Sequence, residues 1–437
     1  MTIQRSGALA ITGALRTSPT DTLNACAFLL PATKMIERWC HRAVVRLATV
    51  PPEHPLHKPV KLSKSRNTKR HRTPIHALFH DTTFYPKLIE KIPTKPRDPA
   101  LVGKLPFSIS ISSSKEASIL EDRYANESAK LYSNGSAFRG KVGAATVLIR
   151  SGHPTRTLHF HLGPDTEHTV HEVELVGTIL ALHLIKSERN NKVSFSIGID
   201  NQAALEAYHS SMRKPAHNAA REVIRLGHML KKRTGGKDYS LTLRWTAGHS
   251  GIPGNELVDR EAKKAALGLS SDKKSLPPYL RCKLTINPSA VQQNFDAKTK
   301  QSWSNEWRST ERGQKIIKID KNTPLAQLLR SISKTDLPRR SASLITQLRL
   351  QHVPLNAYLN RFKLVDSARC PACGAGSETV SHFLLVCPSY AHKRWALERS
   401  LRRKKKALTL ETLLGDTEAI SPLISYINAS HRFTYKP

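Results

Sequence analysis

The middle of this 437-residue chain predicts an α/β domain: a mixed, five-stranded sheet with helices on both faces. Three observations carry that expectation. Three β-rich stretches, Lys130 to Gly135, Lys141 to Arg150 and Thr157 to Leu162, follow one another with turn residues between them, as in an antiparallel meander. Val170 to Ser187 then has the apolar spacing of a long amphipathic helix. Two more β-rich stretches, SFSIGI within Lys192 to Asp200 and LTLRW within Tyr239 to Thr246, alternate with helical ones at Asn201 to His209, Ala216 to Lys232 and Pro253 to Leu267. The order βββαβααβα puts helices on the faces of a mixed sheet.

The flanks read differently. Residues 1–48 are helical, with Pro31 breaking the pattern, and residues 49–124 form a basic, Pro-rich stretch without periodicity. The α/β domain spans 125–268, a basic helical connector 269–365, and a small cysteine-bearing tail 366–437. Trp303 and Trp307, four residues apart, read as core anchors of a connector helix rather than a platform for bases.

Lys and Arg outnumber Asp and Glu by 69 to 34, a formal net charge of +35. That surplus repels itself unless an anionic partner is near, and the densest anion is nucleic acid. A membrane is the weaker candidate, because no long apolar span stands out. The run KLSKSRNTKRHR (Lys61 to Arg72) reads as a linker that also suits phosphate binding or nuclear import, so an intracellular, nuclear location is the expectation. Six cysteines in so long a chain are too few for a disulfide scaffold, and three of them fall close together, which points to metal.

Three acids fall at positions suited to chemistry. Glu174 opens the long helix and is followed by Gly177, Thr178 and Ala181, small residues that let a helix press onto a sheet. Asp200 ends a central strand, and Asp259 lies on the last helix after the loop GHSGIPGN. Phosphodiester hydrolysis needs an activated water and a stabilised leaving oxygen. Two magnesium ions about 3.5–4 Å apart supply both, and carboxylates on rigid elements are their natural holders. The end of the first strand, YSNGS, carries Asn134.

GHSGIPGNELVDREAKKAA (Gly248 to Ala266) resembles the last loop and helix of type-1 ribonucleases H. ELVGTILAL (Glu174 to Leu182) resembles their first helix, IGIDNQAAL (Ile197 to Leu205) their fourth strand and the helix after it, and YSNGS their opening YTDGS. The resemblance covers about a third of the chain and implies the ribonuclease H-like fold. It also implies cleavage of the RNA strand of RNA/DNA hybrids, with two magnesium ions (manganese being the alternative) held by Glu174, Asp200, Asp259 and the first-strand position. His249 would be the mobile-loop histidine that assists attack or product departure. Independently of the resemblance, Asn255 is placed to cap or stabilise the last helix. Glu172 competes with Glu174 but points from another side of the helix.

The departure is Asn134 where the family has Asp. An amide oxygen can touch magnesium but brings no charge. A loss of about 3–5 kcal/mol of transition-state stabilisation slows a reaction about 10²–10⁴-fold. Glu127 cannot stand in, since seven residues of strand span about 20 Å and an odd offset faces the other way. Weak or absent cleavage with hybrid binding retained is the expectation. A catalytically dead nucleic-acid-binding remnant is the alternative, and a protein-interaction remnant a more distant one.

In the tail, Cys370-x2-Cys373-x8-His382-x4-Cys387 has the thiolate and imidazole donors of a four-coordinate zinc site with no open position. RRKKK (Arg402 to Lys406) follows and could contact phosphates. LRLQHVPLNAYLNRF, ETVSHFLLVCP and the N-terminal ITGALRTSPTDTLNA resemble the region after the polymerase core of non-LTR (LINE-like) retrotransposon reverse transcriptases. That likeness outweighs a transit-peptide reading of Arg5 and Arg16. No Tyr-x-Asp-Asp motif occurs, so the chain resembles the C-terminal part of such a polyprotein, and a reverse transcriptase acting in trans is a candidate partner.

Overall fold

The computed structural model describes residues 2–64, 74–80, 82–93, 105–188, 194–208, 214–233, 240–320 and 337–433. The basic run from Lys61 to Arg72 lies outside them from Ser65 onward, as do Lys192, His209 and Tyr239. The chain divides into two compact units, residues 39–296 and residues 1–38 with 297–437.

The first unit is the α/β body. Its strands are β1 (Ser108–Ser110), β2 (Ala129–Phe138), β3 (Lys141–Ile149), β4 (Arg156–Pro164), β5 (Ser194–Ile199) and β6 (Ser240–Trp245). They form one sheet in the order β1-β6-β5-β2-β3-β4. β2, β3 and β4 are the antiparallel meander, while β2, β5, β6 and β1 run parallel. The mixed sheet was legible, but it has six strands rather than five. β1 is three residues, SIS, too short to show an alternating pattern, and it pairs along β6 at the edge.

The helices are α1 (Lys115–Tyr124), α2 (Val170–Ser187), α3 (Gln202–Ala207), α4 (His217–Arg233) and α5 (Pro253–Ala266). α2 is capped by Thr169, whose side chain accepts from the Glu172 N–H, and almost its whole length is buried. It packs with α4 over one sheet face, on Leu131, Ala144 and Leu148. α5 covers the other face, where Val258 and Ala262 meet Tyr132, Ala145 and Val147. Alternating residues of β2 and β3 thus enter two cores, as the period-two geometry of a strand requires.

Within residues 49–124, the span that reads as a linker, the described residues include ordered structure. Val60, Phe79, Phe84 and Ile89 share a small core with Val44, Val45, Ala48, Ile286 and Val291. They come from several short elements, so no periodicity links them in sequence. Glu90 is 3% exposed and caps α4 from outside, its carboxylate accepting from the Ala216 and Asn218 N–H groups at 2.7 and 2.9 Å.

The second unit is helical, with helices including Pro288–Ser309, which begins in the other unit, then Glu311–Ile319, Arg339–Leu350, Ala391–Arg403 and Ile420–Ser430. Trp303 and Trp307 are 6% and 3% exposed and sit in a core with Cys26, Leu30, Ile316 and Leu350, which agrees with their reading as anchors. A buried ion pair joins Arg349 to Asp320 at 2.5 Å. No described helix is long and apolar enough to cross a membrane.

Candidate active site and metal knot

The parallel register of β2 on β5 sets Ser133 against Ile199, so Asn134 and Asp200 are the next residues on adjacent strands. Two glycines let α2 approach β2. A Cβ on Gly177 would lie 3.3 Å from the Asn134 carbonyl, and one on Gly135 would lie 2.8 Å from the Glu174 backbone nitrogen. α5 is brought in against Tyr132, whose ring fills the space where a Cβ on Gly254 would stand, 2.1 Å away. The Tyr132 hydroxyl is anchored by donating to Asp122 of α1 at 2.8 Å. These contacts bring Asp259 to Asn134, with the Asn134 Nδ2 donating at 3.5 Å to Asp259 Oδ1.

Electrostatics tie the remaining acids to this group. Burial pushes the Glu174 carboxyl well above the ordinary range. Asp200 and then Asp259 add to the rise, against a Gly135 N–H that favours the ionised form. Burial and Asp259 also raise Asp200, which His249 opposes. Glu174 is 3% exposed, and its Oε2 has no hydrogen-bond partner. A divalent cation would satisfy that oxygen and relieve the mutual repulsion, so the donor set suits a hard metal.

Asp200 is held through its backbone: its carbonyl accepts from the Trp245 indole at 3.0 Å. Gly248 lies beside it, a Cβ there being 3.6 Å from Asp200 Oδ2, and the next residue, His249, has a left-handed backbone with φ of 52°. Asn255 is 3% exposed and its Oδ1 has no partner. Glu172, the rival of Glu174, is turned away, pairing with His168 Nδ1 at 3.1 Å. Glu127 is engaged by Arg244 at 2.6 Å and does not replace the missing acid.

One neighbour escaped the sequence reading. Lys263 places its ammonium 2.6 Å from Asp259 Oδ2. Its signal was available in the i, i+4 spacing of Asp and Lys on one helix.

The tail builds a second group. Cys370, Cys373, His382 and Cys387 bring one ligand atom each to within 4.8 Å of one another. The Cys370 and Cys387 sulfurs are 3.8 Å apart, and Cys373 Sγ is 3.4 Å from His382 Nε2. Two sulfurs on a tetrahedral zinc at about 2.3 Å each would stand about 3.8 Å apart. Gly374, at φ of 67°, makes the tight turn after Cys373, and the Cys370 N–H donates to the Gly376 carbonyl at 2.7 Å. The Ala375 N–H lowers the Cys373 thiol to about 6, which favours the ligating thiolate. Arg394 ties the helix Ala391–Arg403 to the knot by donating to the Leu384 and Cys387 carbonyls at 3.0 and 2.7 Å.

Comparison with known proteins bears on the α/β body alone. No curated protein matches the chain. Among solved structures, the chain is similar to the solution structure of the PFV RNase H domain, with 15% identity and a TM-score of 0.26, covering 33% of this chain and 98% of that one. LC9-RNase H1, a type 1 RNase H with the type 2 active-site motif, gives 18% identity and a TM-score of 0.24 over 37% of this chain and 87% of that one. RNase H1 from the halophilic archaeon Halobacterium salinarum NRC-1 gives 14% and 0.22 over 31% and 96%. The family described as RNase H matches residues 126–267, the segment that carries Asn134, Glu174, Asp200, His249 and Asp259. Residues 126–267 of this chain are an RNase H domain.

Proposed function

We propose that this domain binds RNA/DNA hybrids and hydrolyses their RNA strand slowly, with divalent cations held by Glu174, Asp200, Asp259 and, imperfectly, Asn134. The observation that carries this is the partnerless, buried Glu174 oxygen beside two further carboxylates whose charges raise its proton affinity. Bound magnesium would supply an activated water and a counter-charge for the leaving oxygen. The chain's own residues set the rest. Trp245 fixes the strand end that carries Asp200, and the Asn134 amide N–H faces Asp259 instead of repelling it. His249 opposes the rise at Asp200 and stands in the loop that would meet the substrate. Lys263 neutralises part of Asp259. Asn134 and Lys263 together lower the negative charge available to two dications, and this is what favours the second reading, hybrid binding with dead chemistry.

In the same proposal the Cys370, Cys373, His382 and Cys387 knot holds a structural zinc. The flanking resemblances support descent from a non-LTR retroelement.

The test is cleavage of a labelled hybrid in magnesium by the unaltered protein and by Asn134→Asp. The Asp variant should be faster by about 10²–10⁴-fold, with similar hybrid affinity. Equal rates would overturn the role given to position 134. No cleavage by either, with the fold intact and the hybrid still bound, would leave the binding reading in place of the enzymatic one.

A further inference from the structure

A cavity in the second unit, lined by residues outside the RNase H segment, has its own chemistry. It encloses about 400 Å³, within the range of small-molecule sites. Its lining includes Arg312, Lys315, Arg349, His352, Arg361 and Phe362. Four of these are permanent cations. Arg349 is 4% exposed and spends one guanidinium nitrogen on Asp320, while its Nε has no hydrogen-bond partner. Arg312 is paired with Asp21 at 2.6 Å. Lys315 and Arg361 are exposed and have no carboxylate partner among the described residues. One carboxylate, Glu311, shares the lining.

The cations converge. Arg361 and Arg312 both act on His352, adding to the burial that keeps its imidazole below the ordinary value. Beside them runs a row of rings. His352 lies 5.3 Å from Tyr358, and Tyr358 lies 5.0 Å from Phe362, whose ring is 41% exposed. Two cations without a carboxylate partner, Lys315 and Arg361, next to an open aromatic face offer charge-assisted hydrogen bonds to a phosphate and a stacking surface to a base.

We propose that this cavity binds a nucleoside phosphate, with Lys315 and Arg361 holding the phosphate and Phe362 the base. The same chemistry comes either as a free nucleotide or as the phosphorylated end of a strand. The site shares no lining residue with the RNase H domain and does not depend on the activity proposed for it.

The test is equilibrium binding to the full chain without added magnesium. The probes are AMP, adenosine, inorganic phosphate, and a short RNA with and without a 5′-phosphate. AMP should bind more tightly than adenosine, and Arg361→Glu or Lys315→Glu should weaken it about tenfold. Phe362→Ala should weaken AMP several-fold and leave inorganic phosphate unchanged. Binding of the 5′-phosphorylated RNA alone, lost in Arg361→Glu, would identify a strand end as the source. The proposal is overturned if neither AMP nor the phosphorylated RNA binds, if adenosine equals AMP, or if both charge reversals leave affinity unchanged while zinc content and circular dichroism match the parent. Hybrid cleavage or binding should be the same in Phe362→Ala as in the parent, which separates failure of this site from failure of the RNase H reading.

Discussion

Without a cation, Glu174 is a buried carboxyl group whose proton affinity is raised by burial and by the charges of Asp200 and Asp259. The native state holds a proton there that the unfolded chain releases above its ordinary value of 4.5. That contribution to stability is fully present below the unfolded value and is lost as pH rises through the raised folded one. In magnesium-free buffer, Glu174→Gln should therefore raise the thermal midpoint, by more at alkaline pH than at pH near the ordinary carboxyl value. A gain that does not grow with pH would contradict this account of the site. Lys263 permits a second test at the same scale. Removing its charge with Lys263→Met frees Asp259 Oδ2, so magnesium titrated against the protein should bind about two- to fivefold more tightly, the range of an exposed ion pair. Glu174 and Asp200 were legible because a helix start and a strand end are places where a carboxylate can reach a sheet rim. Lys263 was not singled out because an i, i+4 pair usually means only a solvated helix face.

At the scale of elements, the meander, the long helix and the last loop and helix were all readable, since each has a period or a turn signal of its own. β1 and the Glu90 cap were not. A three-residue strand has no period, and a carboxylate that caps a helix more than a hundred residues away leaves no local trace. Glu90 nevertheless satisfies two N–H groups at the start of α4 and pairs with His217 at 3.2 Å, with both side chains almost fully buried. Glu90→Ala removes an N-cap and leaves buried donors without water, a loss of about 2–3 kcal/mol. Urea unfolding followed by circular dichroism should show the midpoint falling with the slope unchanged. If the midpoint holds, the span before β1 is a tether and not a part of the α/β body.

At the scale of the molecule, the two compact units rest on different kinds of core. The α/β unit buries a large apolar cluster on one side of its sheet and a smaller one on the other. In the second unit, the main cluster contains Cys370 and Cys387 themselves, packed with Phe383, Tyr390 and Tyr426. The Tyr426 hydroxyl donates to the Phe383 carbonyl at 2.6 Å, so the helix Ile420–Ser430 leans on the same loop that carries His382 and Cys387. Sequence spacing grouped Cys370, Cys373, His382 and Cys387 but could not reveal that the knot is continuous with this core, because Tyr426 lies 43 residues from Phe383. A zinc ion there would act on the whole cluster, and its loss should cost several kcal/mol. Cys373→Ser, or gentle chelation, is therefore expected to release one zinc per chain and lower the melting of the second unit by roughly 10 °C or more. The transition of the α/β unit and its affinity for hybrid should stay where they are. Scanning calorimetry with metal analysis checks both halves of that expectation. A chain that carries no zinc yet melts as the parent does would remove the metal from the account of this core.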